Sequence, residues 1–162
     1  MLSDNNKLLV QQVEYWRGPY KKALMAAFEQ MPEDKLDWTP AENMIPLGQV
    51  FLHICETSDW WYADIMKGKA SVELAVRGQK CPPKADIAKH LDEHWQRLER
   101  FFAESPEILD KMYIREGVHE GRQWKIEKNG YWIFTHILEH DIHHRSQIFH
   151  YLRILGIKPP RA

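Results

Sequence analysis

The sequence contains very little cysteine. Only Cys55 and Cys81 occur among its 162 residues, and they do not form a CxxC pair. Two isolated cysteines exclude a disulfide framework and are typical of a protein from a reducing compartment. We therefore expect a cytoplasmic protein in which Cys55 is a small buried helix residue and Cys81 is a loop residue.

Long hydrophobic runs are also missing. No apolar stretch approaches the roughly 20 residues that a transmembrane helix needs. The first six residues, MLSDNN, lack the basic segment and following apolar segment of a secretory signal. We therefore expect neither a membrane span nor a signal peptide, and no membrane partner.

An excess of one charge is the third absence. Lys and Arg number 22 against 23 Asp and Glu, which leaves a net charge of -1. A protein that binds nucleic acid through its phosphates carries a basic field, so we expect no nucleic-acid partner. The remaining composition, 44% apolar and 28% charged, is that of a globular protein. Its length corresponds to one domain, residues 1–162.

Helical periodicity runs through most of the chain. The first predicted helix begins at an Asn5 or Asn6 cap and ends at Met31, and the second spans about residues 47–67. The third starts near Lys84 and stops before Ser105-Pro106. The fourth follows Asn129-Gly130 and ends at about Leu155. Gly18-Pro19 should kink the first helix or delay its start, because proline removes a backbone donor. Four amphipathic helices of this length pack most simply as an all-α four-helix bundle.

Only the segment between the third and fourth helices has strand-like pieces. These are residues 112–114 and 123–126, around Gly117 and Gly121. They predict a short hairpin before the last helix. The long connections after the second and third helices allow a parallel crossover, so these patterns leave the bundle topology open.

Histidine is abundant, and its distribution is uneven. Of nine histidines, four fall within nine consecutive positions of the last helix: His136, His140, His143 and His144. His140 and His144 lie one helical turn apart on one face. They interrupt an apolar stripe that contains Ile133, Ile137, Ile148 and Tyr151. A buried imidazole without a partner is costly, so this pair predicts a metal site.

A third metal ligand is needed, and the residue patterns leave two candidates open. His53 lies beside the apolar face of the second helix, one turn before Glu56. His90 and His94 form a second i, i+4 pair on the third helix. His90 reads as a surface residue, whereas His94 could face inward. Spacing alone does not rank His53 above His94.

Four stretches of the chain resemble the DinB/YfiT-like family. They are residues 36–43 (LDWTPAEN), 47–54 (LGQVFLHI), 140–148 (HDIHHRSQI) and 152–160 (LRILGIKPP). Together they cover nearly the whole chain in the family's order. One departure is visible at Ser146, where the family usually has glycine. This exchange of one small residue for another should leave the metal ligands unchanged.

The resemblance implies a four-helix bundle with up-down-down-up topology and a divalent metal held by three histidines. The positions that match the family's ligands are His53, His140 and His144. The third helix carries no ligand in the family pattern, which makes His90 and His94 ordinary residues.

Other residues near the expected ligands are assigned roles in or around the site. Glu56 is a candidate general base or hydrogen-bond partner of His53. His143 is a candidate catalytic residue or a hydrogen-bonding neighbour of the ligands. Arg145 and Gln147 are expected to anchor the last helix. Four aromatic residues either line a pocket or belong to the core: Trp16, Tyr20, Trp60 and Tyr151.

Three neutral imidazoles leave a coordination position open, as in catalytic metal sites. They suit Zn²⁺ or Ni²⁺, with Fe²⁺, Co²⁺ and Mn²⁺ as further candidates. The resemblance implies a metal-dependent enzyme acting on a small molecule, either a transferase that uses a low-molecular-weight thiol or a hydrolase. The alternative is a non-catalytic metal-binding or stress-response protein in which the metal staples the helices. The resemblance also implies a homodimer.

Overall fold

The computed structural model describes residues 4–76, 78–119 and 121–161, and most of them are helical. The α-helices are α1 (Asp4–Tyr15), α2 (Lys21–Gln30), α3 (Leu47–Ser58), α4 (Lys84–Phe102), α5 (Glu107–Asp110) and α6 (Gly130–Ile154), and a short 3₁₀ helix spans Glu33–Lys35. The strands are β1 (Met112–His119) and β2 (Arg122–Asn129). The four predicted helical regions are confirmed. The short helix α5 was not predicted, because four residues are too few to show a period.

The predicted break at Gly18-Pro19 takes the form of a π-helical stretch, Trp16–Tyr20, which joins α1 to α2. The backbone at Tyr15, Tyr20 and Lys21 stays in the right-handed helical region. The helix therefore continues through the proline instead of starting late. A wider turn accommodates a residue that lacks an N–H group and cannot join the regular ladder.

The second predicted helix is also part α-helical and part π-helical. Helix α3 passes into a π-helical stretch at Asp59–Met66. Gly68, with a φ of 67°, ends it. The Gly68 and Lys69 amides donate to the carbonyls of Asp64 and Ala63, both at 2.8 Å. These bonds are typical of a glycine that closes a helix in the left-handed conformation.

The predicted hairpin is confirmed and is longer than expected. Strands β1 and β2 pair antiparallel from Met112 opposite Asn129 to His119 opposite Arg122. Gly117 faces Trp124 across the pair, and a Cβ atom on Gly117 would lie 2.4 Å from the Trp124 ring. Arg115 donates to Asp64 at 2.8 Å. The hairpin is thereby fixed to the π-helical end of the second helical region.

The N-terminus of α6 depends on a side-chain cap. The Asn129 side chain accepts a hydrogen bond from the Trp132 amide at 2.9 Å. Replacing Asn129 by alanine should lower the free energy of unfolding by about 1 kcal/mol, because that amide loses its partner. Urea unfolding measures the change. Asn129→Asp keeps the accepting oxygen and should retain the stability, and an equal loss in both variants would contradict this role.

The core lies between the long helices and is largely aromatic. Its largest fully buried side chains include Trp16, Tyr20, Phe28, Phe51 and Tyr151. Helix α3 packs against both α4 and α6, and α2 also contacts α6. These contacts bring the inward faces of α3 and α6 together, and the predicted ligands lie on those faces. Cys55 and Cys81 are buried free thiols, the latter in the loop before α4.

Candidate metal centre

Three histidines from two helices meet at one point. His53 of α3 and His140 and His144 of α6 each offer a ligand nitrogen, and these nitrogens lie within 4.8 Å of one another. The Nε2 atoms of His53 and His140 are 3.1 Å apart. In a tetrahedral zinc site with Zn–N bonds of about 2.0–2.1 Å, ligand nitrogens are about 3.4 Å apart. The three histidines are therefore close enough together to hold a metal ion.

His53 is oriented by a carboxylate. Its Nδ1 lies 2.7 Å from Oε1 of Glu56, while Oε2 of Glu56 accepts from the amides of Leu74 and Ala75 at 2.8 and 2.9 Å. Burial opposes ionisation of Glu56, but these hydrogen bonds prevail and hold its pKa below the ordinary value. A proton on Nδ1 leaves Nε2 of His53 free to bind a metal. Such outer carboxylate partners are a regular feature of histidine metal sites.

His144 has an amide in the same role. Its Nδ1 lies 2.8 Å from Oε1 of Gln147. The Gln147 amide donates to the hydroxyl of Tyr151 at 2.9 Å, and that hydroxyl donates to the Ile45 carbonyl at 3.1 Å. The amide oxygen can only accept, so His144 carries its proton on Nδ1 and presents Nε2 to the centre.

His140 lies between the other two ligands. Its ring centroid is 4.8 Å from that of His53 and 4.3 Å from that of His144, and Thr57 Oγ1 lies 3.2 Å from its Nε2. Burial, together with the smaller effect of the neighbouring imidazoles, lowers the pKa of His140 to about 2. Burial also lowers the pKa of His144, to about 4. Both side chains are thus neutral at pH 7, as metal binding requires.

These buried imidazoles should make the metal-free protein sensitive to mild acid. Burial lowers the pKa of His94 to about 3, so His94, His140 and His144 all take up protons more readily in the unfolded chain. Stability should fall as the pH drops below about 6.5, by about 2 kcal/mol per imidazole at pH 5. Burial raises the pKa of the Asp141 carboxyl group, and this group therefore adds stability as the pH falls. It is one group against three imidazoles.

Urea unfolding of the metal-free protein at about pH 7.5 and about pH 5 tests whether stability falls as the pH drops. The expected result is a free energy of unfolding that is lower by a few kcal/mol at the acidic pH. Equal values at the two pH settings would contradict the burial of neutral imidazoles.

A pocket opens beside His53, one of the three histidines. It has a volume of about 310 Å³, and His53, Glu56, Thr57 and Trp60 form its wall on the helix side. Residues 71–73 of the following loop form the other wall. The His53 side chain is 31% exposed, whereas that of His140 is 13% exposed. The ligand cluster is therefore reached from solvent on the His53 side.

The other predicted residues fall outside the cluster. His143 is exposed, and its ring centroid lies 4.9 Å from that of His144. His136 stacks on Trp132 with ring centroids 4.6 Å apart. His90 lies 3.5 Å from Glu93 on α4. The catalytic role assigned to His143 stays a prediction.

His94, the rival ligand, is fully buried and bonded elsewhere. Its Nδ1 lies 2.8 Å from Ser58 Oγ. Arg145 anchors α6 as predicted, because it donates to the Tyr15 hydroxyl at 2.9 Å and its guanidinium lies over the ring of Tyr20. Gln147 bonds within its own helix and reaches the rest of the fold only through Tyr151.

The sequence left open whether four aromatic residues line a pocket or belong to the core, and of these Trp60 lines the pocket. Trp16, Tyr20 and Tyr151 belong to the buried core. Trp16 and Tyr20 nevertheless reach the site, because the Trp16 indole donates to Oδ2 of Asp141 at 3.1 Å and the Tyr20 hydroxyl donates to the Asp141 carbonyl at 3.1 Å.

Asp141 and Thr57 are site residues that the sequence reasoning missed. A signal for Asp141 was present, since it lies four residues after Ile137 and seven before Ile148, on the buried face of α6. Its side chain is fully buried. Thr57 gave no signal beyond its place one turn after His53.

No helix in the part of the chain that the structure describes has both the length and the apolar character needed to cross a bilayer.

Comparison with known proteins places the chain in a family. A search of curated proteins found no match. A DinB-like protein of Bacillus subtilis shares the fold with a TM-score of 0.63 at 21% identity, over 93% of this chain and 96% of that one. A DinB-like protein of Bacillus cereus gives a TM-score of 0.69 at 16% identity, over 93% and 95%. Residues 1–162 match the DinB family, and the chain therefore belongs to that family.

Proposed function

We propose that this protein binds a divalent metal ion through His53, His140 and His144 and uses it as an enzyme acting on a small molecule. The reaction class is a thiol-dependent S-transfer or a hydrolysis. The observation that carries the proposal is the convergence of three imidazoles, one of which, His53, lines a pocket of about 310 Å³. A metal held by three protein ligands keeps a position for substrate or water, as in catalytic sites.

The donor set favours Zn²⁺ or Ni²⁺, and Fe²⁺, Co²⁺ and Mn²⁺ also accept imidazole ligands. When bound, such an ion acidifies a coordinated water or thiol and polarises a carbonyl group. The chain contributes the orientation of the ligands. Glu56 holds the proton on Nδ1 of His53, and Gln147 holds the proton on Nδ1 of His144.

Glu56 fits an orienting role better than that of a general base. Both of its oxygens are engaged, one by His53 and the other by two backbone amides. A base that removes a proton from substrate needs a free oxygen within hydrogen-bond reach of it. Catalysis by Glu56 would require one of these bonds to break. His143 lies on the exposed side of α6, where a catalytic role would require the substrate to extend out of the pocket.

The experiment has two stages. Metal analysis of the purified protein should find about one divalent ion per chain. The metal-loaded protein is then screened with low-molecular-weight thiols and electrophilic acceptors, and with ester and amide substrates. Turnover that disappears on chelation and returns with the metal supports the enzyme. A protein purified without metal, which also takes up none of the five candidate ions, would refute the proposal.

A structural role for the metal is the second candidate. It is favoured by the depth of His140 and by Thr57, whose Oγ1 lies 3.2 Å from Nε2 of His140. A protein group this near could fill the remaining position and close the site. The pocket on the His53 side favours the enzyme.

We further propose the finer features that the family resemblance implies, namely an up-down-down-up four-helix bundle, a cytoplasmic location and a homodimer. The dimer is supported by exposed apolar side chains on the outer face of β1, Met112, Ile114 and Val118. Light scattering should give about twice the 19.3 kDa chain mass at micromolar concentration. A mass equal to that of one chain would contradict the dimer.

A further inference from the structure

A set of buried polar atoms without partners surrounds Asp141, directly behind the metal-facing side of His140. Within the described part of the chain, Nδ1 of His140, Oδ1 of Asp141 and Nε2 of His94 are buried and make no hydrogen bond. Three such atoms in one place are unusual, because nearly all buried polar groups in proteins are paired. Each unpaired group destabilises the folded state.

The distances show which atoms can pair. Oδ1 of Asp141 lies 3.8 Å from Nδ1 of His140, and Oδ2 lies 3.6 Å from Nε2 of His94. Oδ2 already accepts from the Trp16 indole at 3.1 Å. Nitrogen atoms of three different helical segments are therefore grouped around one carboxyl group. A movement of less than about 1 Å would bring both long distances into hydrogen-bonding range.

The tautomer of His140 decides whether this movement is favourable. Nε2 of His53 has no proton to give, because Nδ1 donates to Glu56. The 3.1 Å contact between the two Nε2 atoms therefore requires His140 to carry its proton on Nε2. A metal ion at the centre needs that nitrogen as a bare ligand, so the proton of His140 must then lie on Nδ1. The acceptor nearest to Nδ1 is Oδ1 of Asp141.

We propose that Asp141 is the positioning residue of His140, accepting the Nδ1 proton when His140 binds metal, and that Trp16 and His94 hold the carboxyl group in place. An Asp141 oxygen can accept this hydrogen bond whether the carboxyl group is ionised or neutral. The inference rests on the proposed metal site. It gives each of the three ligands its own partner on the distal nitrogen: Glu56, Asp141 and Gln147.

His94 also finds its place in this arrangement. Ser58 lies 2.8 Å from Nδ1 of His94, and Nε2 faces Asp141, an order reminiscent of a hydrolytic triad. Ser58, His94 and Asp141 are each 0% exposed, so substrate does not reach this serine. The Ser58 hydroxyl donates to the Cys55 carbonyl at 2.9 Å, so His94 carries its proton on Nδ1 and donates it to Ser58. Nε2 of His94 then faces Oδ2 of Asp141 as an acceptor, and a carboxyl hydrogen on Oδ2 would fill this contact while Oδ1 stays free to accept from His140. Ser58 and His94 thus orient Asp141 and take no part in catalysis.

Asp141→Leu tests the proposal, with Tyr20→Phe as the matched control. Leucine has the same branching as aspartate but no accepting oxygen, so Nδ1 of His140 loses its partner. The Kd for Zn²⁺, measured by chelator competition, should rise about 10- to 100-fold. Tyr20→Phe also removes a buried hydrogen bond to Asp141, but this bond goes to the backbone carbonyl and leaves the carboxyl group unchanged. Its Kd should stay within about 3-fold of the wild type.

Equal losses of affinity in the two variants, or none in Asp141→Leu, would overturn the proposal. Nitrogen-15 spectra of the histidines in the wild-type protein give a test that does not depend on folding of a variant. Metal-loaded wild type should show His140 protonated on Nδ1, with a proton resonance shifted downfield by the hydrogen bond. A proton on Nε2 of His140 in the loaded protein would overturn the proposal as well.

Metal binding by the wild-type protein separates a failure of the proposed function from a failure of the Asp141 role. Wild-type protein that binds no metal would refute the proposed function, and the role of Asp141 with it. Wild-type protein that binds metal, together with an Asp141→Leu variant of unchanged affinity, would refute only the role of Asp141.

Discussion

Replacing His140 by alanine is expected to remove nearly all bound metal from the protein. His140 lies between the other two ligands, with its ring centroid less than 5 Å from each of theirs. Loss of an outer hydrogen-bond partner alone weakens metal binding about 10- to 100-fold, so loss of a ligand should weaken it by more than about 100-fold. Plasma mass spectrometry of the purified variant measures the occupancy.

Two histidine variants serve as controls. His150 lies on the same helix, is exposed, and bonds only to the Ser146 carbonyl of its own helix among the contacts described. His90 belongs to the i, i+4 pair on α4. His150→Ala and His90→Ala should both retain full metal. Full occupancy in His140→Ala would refute the ligand assignment, and a loss in His90→Ala would move the site to α4.

Circular dichroism separates loss of a ligand from loss of the fold. Nδ1 of His140 is buried without a partner in the described part of the chain, so its removal takes away an unfavourable group along with the ligand. The metal-free variant should therefore show the same helicity as the metal-free wild type.

Much of this fold could be predicted from local signals. Helix ends marked by Asn129, Gly68 and Gly156 follow the rules for caps, since the side chain or the left-handed backbone is needed at that position. The hairpin was predicted from two short pieces and is longer than they suggested. Gly117 faces the Trp124 ring near the turn end of the hairpin, and that contact depends on cross-strand register.

Only part of the candidate site could be predicted from spacing in the sequence. His140 and His144 share a helix, so their spacing fixes their relation. His53 comes from a different helix, and spacing could not rank it above His94. The resemblance to a family supplied that choice, and the geometry agrees with it. His94 is buried too, but it is bonded to Ser58.

Some contacts around the ligands were harder to predict because they join residues that lie far apart along the chain. Trp16 bonds to Asp141 across 125 residues, and Thr57 reaches His140 across 83. Local partners carry a sequence signal, as Glu56 and Gln147 each follow their histidine by three residues. The π-helical stretches gave no periodic signal apart from Pro19, since a few widened turns change the register only locally.

Removal of the metal is expected to weaken the protein without unfolding it. Most of the core lies outside the metal site, and a chain of this length hides about 68–70% of the surface that its unfolded form exposes. The largest buried side chains, among them Phe28, Phe51 and Leu24, are not ligands. The metal-free protein should therefore keep its helicity and melt cooperatively. A zinc finger, by contrast, is unfolded without its ion.

The loss of stability follows from linkage. A ligand at 1,000 times its Kd stabilises the native state by about 4 kcal/mol. For a domain of this size, about 1 kcal/mol shifts Tm by roughly 2–4 °C. Chelation should therefore lower Tm by about 10 °C while the circular dichroism spectrum at room temperature stays the same. Collapse of the helical signal on chelation would show that the metal is structural.

Substitution with Co²⁺ tests whether the metal retains an open position. The visible spectrum of Co²⁺ depends on its ligands, so a thiol or azide that enters the coordination sphere should change it. The pocket beside His53 provides the access, whereas the Thr57 hydroxyl near His140 is the group that could close the site. Thr57→Val removes this hydroxyl at nearly constant shape and serves as the comparison. A spectrum that changes on addition of thiol in the wild type supports the enzyme. If the wild type ignores every added ligand and Thr57→Val responds, Thr57 occupies the position and the metal is structural.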